Sequence, residues 1–144
     1  MGIIQLADLG RFAEEFVSRL PQEGERAVLV ELCGNVGAGK TTFVQAVGRV
    51  LTIPDTMQSP TYVLMKSYSI HVGRFTKLVH IDAYRLQMPE EFKTLKPEEF
   101  LYDPHVLVLL EWPQQVQGEL PTADIRIQFS SEGMSADERN IEIK

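Results

Sequence analysis

The stretch that decides the fold is Ala27–Thr42, AVLVELC-GNVGAGKTT, an apolar, β-branched run that passes at once into a glycine-rich loop. Ala27–Cys33 has the composition of a strand buried on both faces of a parallel sheet. From Lys40 onward, Phe43, Val47, Val50 and Leu51 recur at helical spacing until Pro54, so the loop opens directly into a helix. The pattern GxxxxGK[ST] is met by Gly34, Gly39, Lys40 and Thr41, with Gly37 as a third glycine. Strand, loop and helix stand in the order that a phosphate-binding loop requires.

Each residue of the loop has a mechanical task. Backbone amides across Gly34, Asn35, Val36, Gly37, Ala38 and Gly39 can cradle phosphate oxygens, and the helix N-terminus adds positive potential. Lys40 is placed to reach the β and γ phosphates, the Thr41 hydroxyl to ligate Mg2+, and Thr42 to bond an α-phosphate oxygen. The bland alternative is a tight turn that caps a helix.

Outward from the loop, Asp8 precedes Leu9, Phe12, Phe16, Val17 and Leu20, which predicts an amphipathic first helix with an N-capping carboxylate, broken by 21–25. Ser59-Pro60-Thr61 is a polar, non-helical segment near the γ phosphate; Tyr62–Tyr68 alternates as a strand, and 72–77 reads as a hairpin turn. Leu78–Ile81 is a short apolar run that ends at Asp82, and Val106–Leu110 another that ends at Glu111-Trp112-Pro113. Between them, Met88–Leu101 carries Phe92, Leu95 and Phe100 in a weakly helical pattern interrupted by Pro97. Ile125–Phe129 and Ile141–Ile143 read as edge or hairpin strands, joined by an acidic surface loop. The whole predicts one α/β domain over residues 1–144, a P-loop NTPase with a mainly parallel central sheet flanked by helices and extra antiparallel strands.

In parallel sheets, groups that complete a metal site come from the carboxyl ends of strands beside the loop, which nominates Asp82 and Glu111. Both could equally be polar residues where a strand meets solvent. His80 shares a strand face with Asp82, but two residues at that spacing make a poor metal site, and a core or hydrogen-bonded histidine is the better reading. Arg85 is either an arginine finger or a surface ion-pair partner, and Trp112 either rim packing or a wall of a nucleotide pocket.

Composition sets limits on these readings. The net charge of -6 and pI of about 5.1 argue against a generic grip on RNA, DNA or an anionic membrane. A single cysteine, Cys33, gives no internal disulfide and, with three scattered histidines, no zinc spacing. The longest apolar run is far too short to span a bilayer and no signal-peptide pattern opens the chain, so a cytoplasmic protein is expected. The guanine-reading NKxD and the DxxG switch are absent, which leaves ATP as the default nucleotide. Little chain remains for the lid and acceptor pocket of a small-molecule kinase.

The blocks GNVGAGKTTFVQAVGRVL, SPTYVLMKSY, HIDAYRL and LLEWP, in that order in so short a chain, resemble the TsaE (YjeE) family of bacterial tRNA threonylcarbamoyladenosine biosynthesis proteins. The resemblance implies an ATPase, slow alone, that uses ATP and Mg2+ and works with TsaB and TsaD. TsaD transfers the threonylcarbamoyl group to adenosine 37 of tRNA, so contact with tRNA is indirect. It further implies that Lys40 and Thr41 hold phosphate and magnesium, that Glu111 completes the metal site, and that Asp82 is a catalytic or switch residue. Ser59, Pro60 and Thr61 match the family's switch segment, and Trp112 its functional tryptophan. Two departures are visible: Asn35-Val36 in the loop, and Leu95-Lys96-Pro97-Glu98-Glu99 in place of a glycine-bearing segment. A nucleotide-gated binding module with incidental hydrolysis, and a small phosphotransferase, are the alternative readings.

Overall fold

The computed structural model describes residues 2–54 and 64–144. One seven-stranded sheet runs through the chain, built from β1 (Gly2–Gln5), β2 (Val28–Cys33), β3 (Met65–Val72), β4 (Phe75–Asp82), β5 (Val106–Glu111), β6 (Ile125–Ser130) and β7 (Glu138–Ile143). Its order is β1-β7-β6-β2-β5-β4-β3. The four central strands β6, β2, β5 and β4 are mutually parallel, and β3, β7 and β1 add antiparallel pairings at the two sides. The α/β class with a parallel centre and antiparallel additions is the one expected from the sequence.

Strand alternation divides the core into two layers. Val28, Val30 and Leu32 of β2, with Leu107 and Leu109 of β5, face α1 (Leu9–Ser18) and α2 (Lys40–Val50). There the rings of Phe12, Phe16 and Phe129 surround Phe43 at centroid distances of 5.5, 5.3 and 5.6 Å, which anchors the helix that starts at the glycine loop. Leu29, Val108 and Leu110 face the opposite way, toward Phe92, Phe100, Leu101 and Val116. That second layer is roofed by 3-10 turns at Pro89–Leu95, Pro97–Glu99 and Pro113–Val116 instead of an α-helix. Pro89, Pro97 and Pro113 each start one of these turns, and Pro97 stops the first from propagating.

Two expectations need correction. Asp8 does not cap α1 through its side chain: a 3-10 turn at Leu6–Asp8 leads into the helix and leaves Asp8 at φ -98, ψ 3, outside the extended conformation that an N-cap needs. The hairpin turn is not 72–77 but the two residues Gly73 and Arg74, because Val72 already pairs with Phe75. β6 and β7 pair as an antiparallel hairpin, one of the two readings open for them from sequence, and the edges of the sheet are β1 and β3. β1 was not foreseen, because four half-exposed residues carry too little pattern. Ser59, Pro60 and Thr61 lie outside the described residues.

β2 also carries a buried carboxylate, Glu31, which takes two hydrogen bonds from Arg126 on β6 at 3.0 and 2.8 Å, opposite it in register. No described helix is long and apolar enough to cross a membrane.

Candidate functional site

The site sits where β2, β5 and β4 end side by side. β2 stops at Cys33 and the chain turns through 34–39 into α2, so the loop lies over the carboxyl edge of the sheet. Gly34 has φ 145, and a Cβ there would come within 2.6 Å of the Phe129 carbonyl oxygen on β6. Gly39, at the N-cap of α2, has φ 109, a left-handed value that other residues rarely adopt. Only glycine lets the loop run this close to the sheet and then enter a helix.

Lys40, Thr41 and Thr42 form the first turn of α2 and line a cleft of about 300 Å³. The opposite wall is Asp82, Tyr84, Glu111 and Trp112; Val36, Gly37, Gly39 and Arg139 complete it. The sequence-nominated Lys40, Thr41, Asp82 and Glu111 are thus brought together from three separate segments. Asp82 and Glu111 are direct register partners across β4 and β5, so both carboxylates project from one face of the sheet. The side chains of Asn35 and Ala38, with Gly34, line a separate recess behind the loop, against Phe129 and Ser130. Any role for 34, 35 and 38 at the cleft therefore rests on their backbone.

The electrostatics of the cleft are finely opposed. Lys40 is buried, and desolvation lowers the pKa of its ammonium, while the charges of Glu111, Asp82 and Cys33 act to raise it. Its Nζ donates to the Gly34 carbonyl and lies 3.6 Å from the centroid of the Trp112 ring. Asp82 has a raised pKa: burial is the largest cause, Glu111 adds to it, and the Tyr84 N–H bond at 3.0 Å, His80 and Lys40 act against it. Glu111 is 2% exposed, with its Oε2 2.7 Å from Nε2 of His80, which is fully buried. His80 is thus the hydrogen-bonded core histidine that its strand position suggested.

Trp112 holds its ring against Tyr84 at 4.9 Å between centroids and has φ 61, a left-handed backbone that turns the chain sharply after β5. It is a wall of the cleft. Arg85 is exposed, does not line the cleft and makes no ion pair among the described residues. Two cleft residues escaped sequence reading. Tyr84 lay inside the HIDAYRL block and could have been found there. Arg139 could not: it arrives from β7, and its Cγ would meet a Cβ on Gly39 at 3.6 Å while Nη1 bonds the carbonyls of Ala136 and Glu138 at 3.1 and 2.6 Å.

The donor set suits a hard divalent cation held jointly with phosphate. Magnesium takes one or two carboxylates plus hydroxyl, water and phosphate oxygens. Glu111, Asp82 and Thr41 on one cleft offer that set, whereas no group of three or more His, Cys, Asp or Glu able to cage a metal occurs among the described residues.

The family model described as threonylcarbamoyl adenosine biosynthesis protein TsaE matches residues 5–141. The chain is 34% identical over 134 residues to the tRNA threonylcarbamoyladenosine biosynthesis protein TsaE of Haemophilus influenzae, covering 92% of this chain and 80% of that one. To the TsaE protein of Treponema pallidum it is 39% identical over 111 residues, 77% and 76% of the two chains. Among solved structures, Bacillus subtilis YdiB superposes with a TM-score of 0.68 at 25% identity, over 96% of this chain and 78% of the other. A model match over nearly the whole length, relatives at this identity and the shared fold together establish that this chain belongs to the TsaE family.

Proposed function

We propose that this chain binds ATP with Mg2+ in the cleft between the 34–42 loop and the ends of β4 and β5, and hydrolyses it to support a TsaB–TsaD transferase that modifies adenosine 37 of tRNA. The observation that carries the reading is the convergence of Lys40, Thr41, Asp82 and Glu111 on one cleft. Threonylcarbamoyladenosine biosynthesis is what the curated relatives are named for.

In this reading the loop amides and the α2 N-terminus hold the phosphates, and Lys40 leaves Gly34 and Trp112 to meet the β and γ phosphates. Thr41 and Glu111 hold the magnesium, which supplies charge neutralisation for the leaving phosphate when bound. Asp82, which makes no ion pair among the described residues and is the register partner of Glu111, orients the attacking water in this reading. Arg139 and Trp112 line the same cleft and contact the nucleotide, with Ser59 and Thr61 as further nucleotide contacts. The acidic chain touches tRNA only through its partners, in the cytoplasm.

A nucleotide-gated module is the second reading, favoured by the exposed apolar rim of Val36 and Tyr84 around the cleft. Reconstituted multiple-turnover modification of tRNA by TsaB, TsaD and this protein separates the two. ATP is expected to sustain turnover and a non-hydrolysable analogue to stop it; equal turnover with both would leave a binding module.

A further inference from the structure

The position of His80 is anomalous for a purely structural residue. It lies in β4 between Val79 and Ile81, and all three are fully buried in a strand flanked by β3 and β5. Parallel strands at such a place are filled by apolar side chains. A buried imidazole there carries a desolvation cost that only its hydrogen bonds can offset. Among the described residues His80 makes a single one, from Nε2 to Glu111 Oε2 at 2.7 Å, and its Nδ1 meets no partner. Its hydrogen bonding among them therefore goes to one carboxylate oxygen.

Register explains why that oxygen is within reach. His80 pairs with Leu109 and Asp82 with Glu111, so the histidine lies one pleat back along the same sheet face and meets Glu111 diagonally. Glu111 Oε1 accepts no hydrogen bond among the described residues, while the side chain lines the cleft beside Lys40 and Thr41. A carboxylate pinned through one oxygen, on a side chain that lines the cleft, is prepared to take a cation in one orientation. Hydrogen-bonded partners behind a metal-binding group act in this way, and their loss weakens metal affinity about 10- to 100-fold.

We propose that His80 is a positioning residue that donates from Nε2 to Glu111 and presents the free carboxylate oxygen to the nucleotide-bound divalent cation. The inference rests on the reading of Glu111 as the magnesium carboxylate. With Glu111 ionised, the bond requires the proton on Nε2. Glutamine at position 80 can place its amide N–H near the position of Nε2; asparagine is one methylene too short to do so.

The test is Mn2+ binding, followed by electron paramagnetic resonance, to protein saturated with a non-hydrolysable ATP analogue. Wild type, Glu111→Ala, His80→Leu, His80→Asn and His80→Gln are compared, together with analogue affinity in EDTA and thermal unfolding. His80→Leu and His80→Asn are expected to weaken Mn2+ about tenfold with analogue affinity in EDTA unchanged, and His80→Gln to recover most of the loss. If Glu111→Ala binds Mn2+ as wild type does, the magnesium reading of Glu111 fails. If Glu111→Ala is weakened while folded His80→Leu or His80→Asn binds normally, the histidine's role is overturned and the metal site stands. For wild type, 15N resonances of the His80 ring should show the proton on Nε2 and move when Mg2+ joins the bound analogue. A ring protonated on Nδ1 alone, or one that ignores Mg2+, overturns the proposal whether or not the variants fold.

Discussion

The ammonium of Lys40 rests 3.6 Å above the ring of Trp112 and donates to the carbonyl of Gly34, so the lysine of the loop is held by its own site. In the proposed nucleotide site both contacts would be exchanged for a phosphate. A cation over an indole contributes about 0.5–2 kcal/mol, less than a phosphate offers in the same place. Trp112 is the only tryptophan of the chain. Its emission is therefore expected to change on addition of ATP, in steps with nucleotide occupancy. Lys40→Ala should start with altered emission and show no such saturable change; a full wild-type response in that variant would dissociate lysine from the nucleotide site.

Asp82 sets a price in stability on the free protein that pH can reveal. Its native pKa is raised above the ordinary carboxylate value of 3.8, chiefly by burial and further by Glu111. Above that window the ionised carboxylate is held less favourably in the native state than in the unfolded chain. As pH falls through the raised native value, the native state takes up the proton first and the penalty disappears. Asp82→Asn, which keeps an acceptor for the Tyr84 N–H, should then unfold at higher temperature than wild type at pH 7 in EDTA. The gap should narrow on acidification and close near pH 3.8. A gap that widens as pH falls would contradict the burial argument.

The parts of the site that could be read from sequence are those where one short run carries both fold and chemistry. VLVLLE at 106–111 is a buried strand because it is apolar, and a site strand because its first carboxylate falls where the strand leaves the core. LVHID at 78–82 works the same way. What could not be read depends on chain segments meeting. Arg139 reaches the cleft only because β7 pairs with β6, which itself flanks β2. The left-handed backbone at Trp112 has no signature in the sequence around it. The His80–Glu111 bond needs the register of β4 against β5, which neither apolar run specifies by itself.

Lys96 lies in the segment Leu95–Glu99, where the resemblance leads one to expect a glycine, and its backbone shows what glycine would offer. Lys96 has φ 53 and ψ 61 between two 3-10 turns, in the left-handed region. A side chain costs about 1–2 kcal/mol there. Glycine removes that strain but adds freedom to the unfolded chain, worth about 0.5–1 kcal/mol. Lys96→Gly is expected to raise stability by up to about 1 kcal/mol, read as a higher urea midpoint with unchanged slope. A drop in midpoint would show that the lysine side chain makes contacts that outweigh its backbone strain.

The central claim is that Lys40 and Glu111 belong to one ATP-hydrolysing site. It is tested most directly by phosphate release from Mg2+-ATP, with and without TsaB and TsaD, for wild type, Lys40→Ala and Glu111→Ala. Wild type should hydrolyse ATP slowly alone and faster with partners. Each substitution should reduce both rates at least about 100-fold, the scale expected when a group that stabilises transition-state charge is removed. Wild-type rates in Lys40→Ala or Glu111→Ala would contradict the assignment.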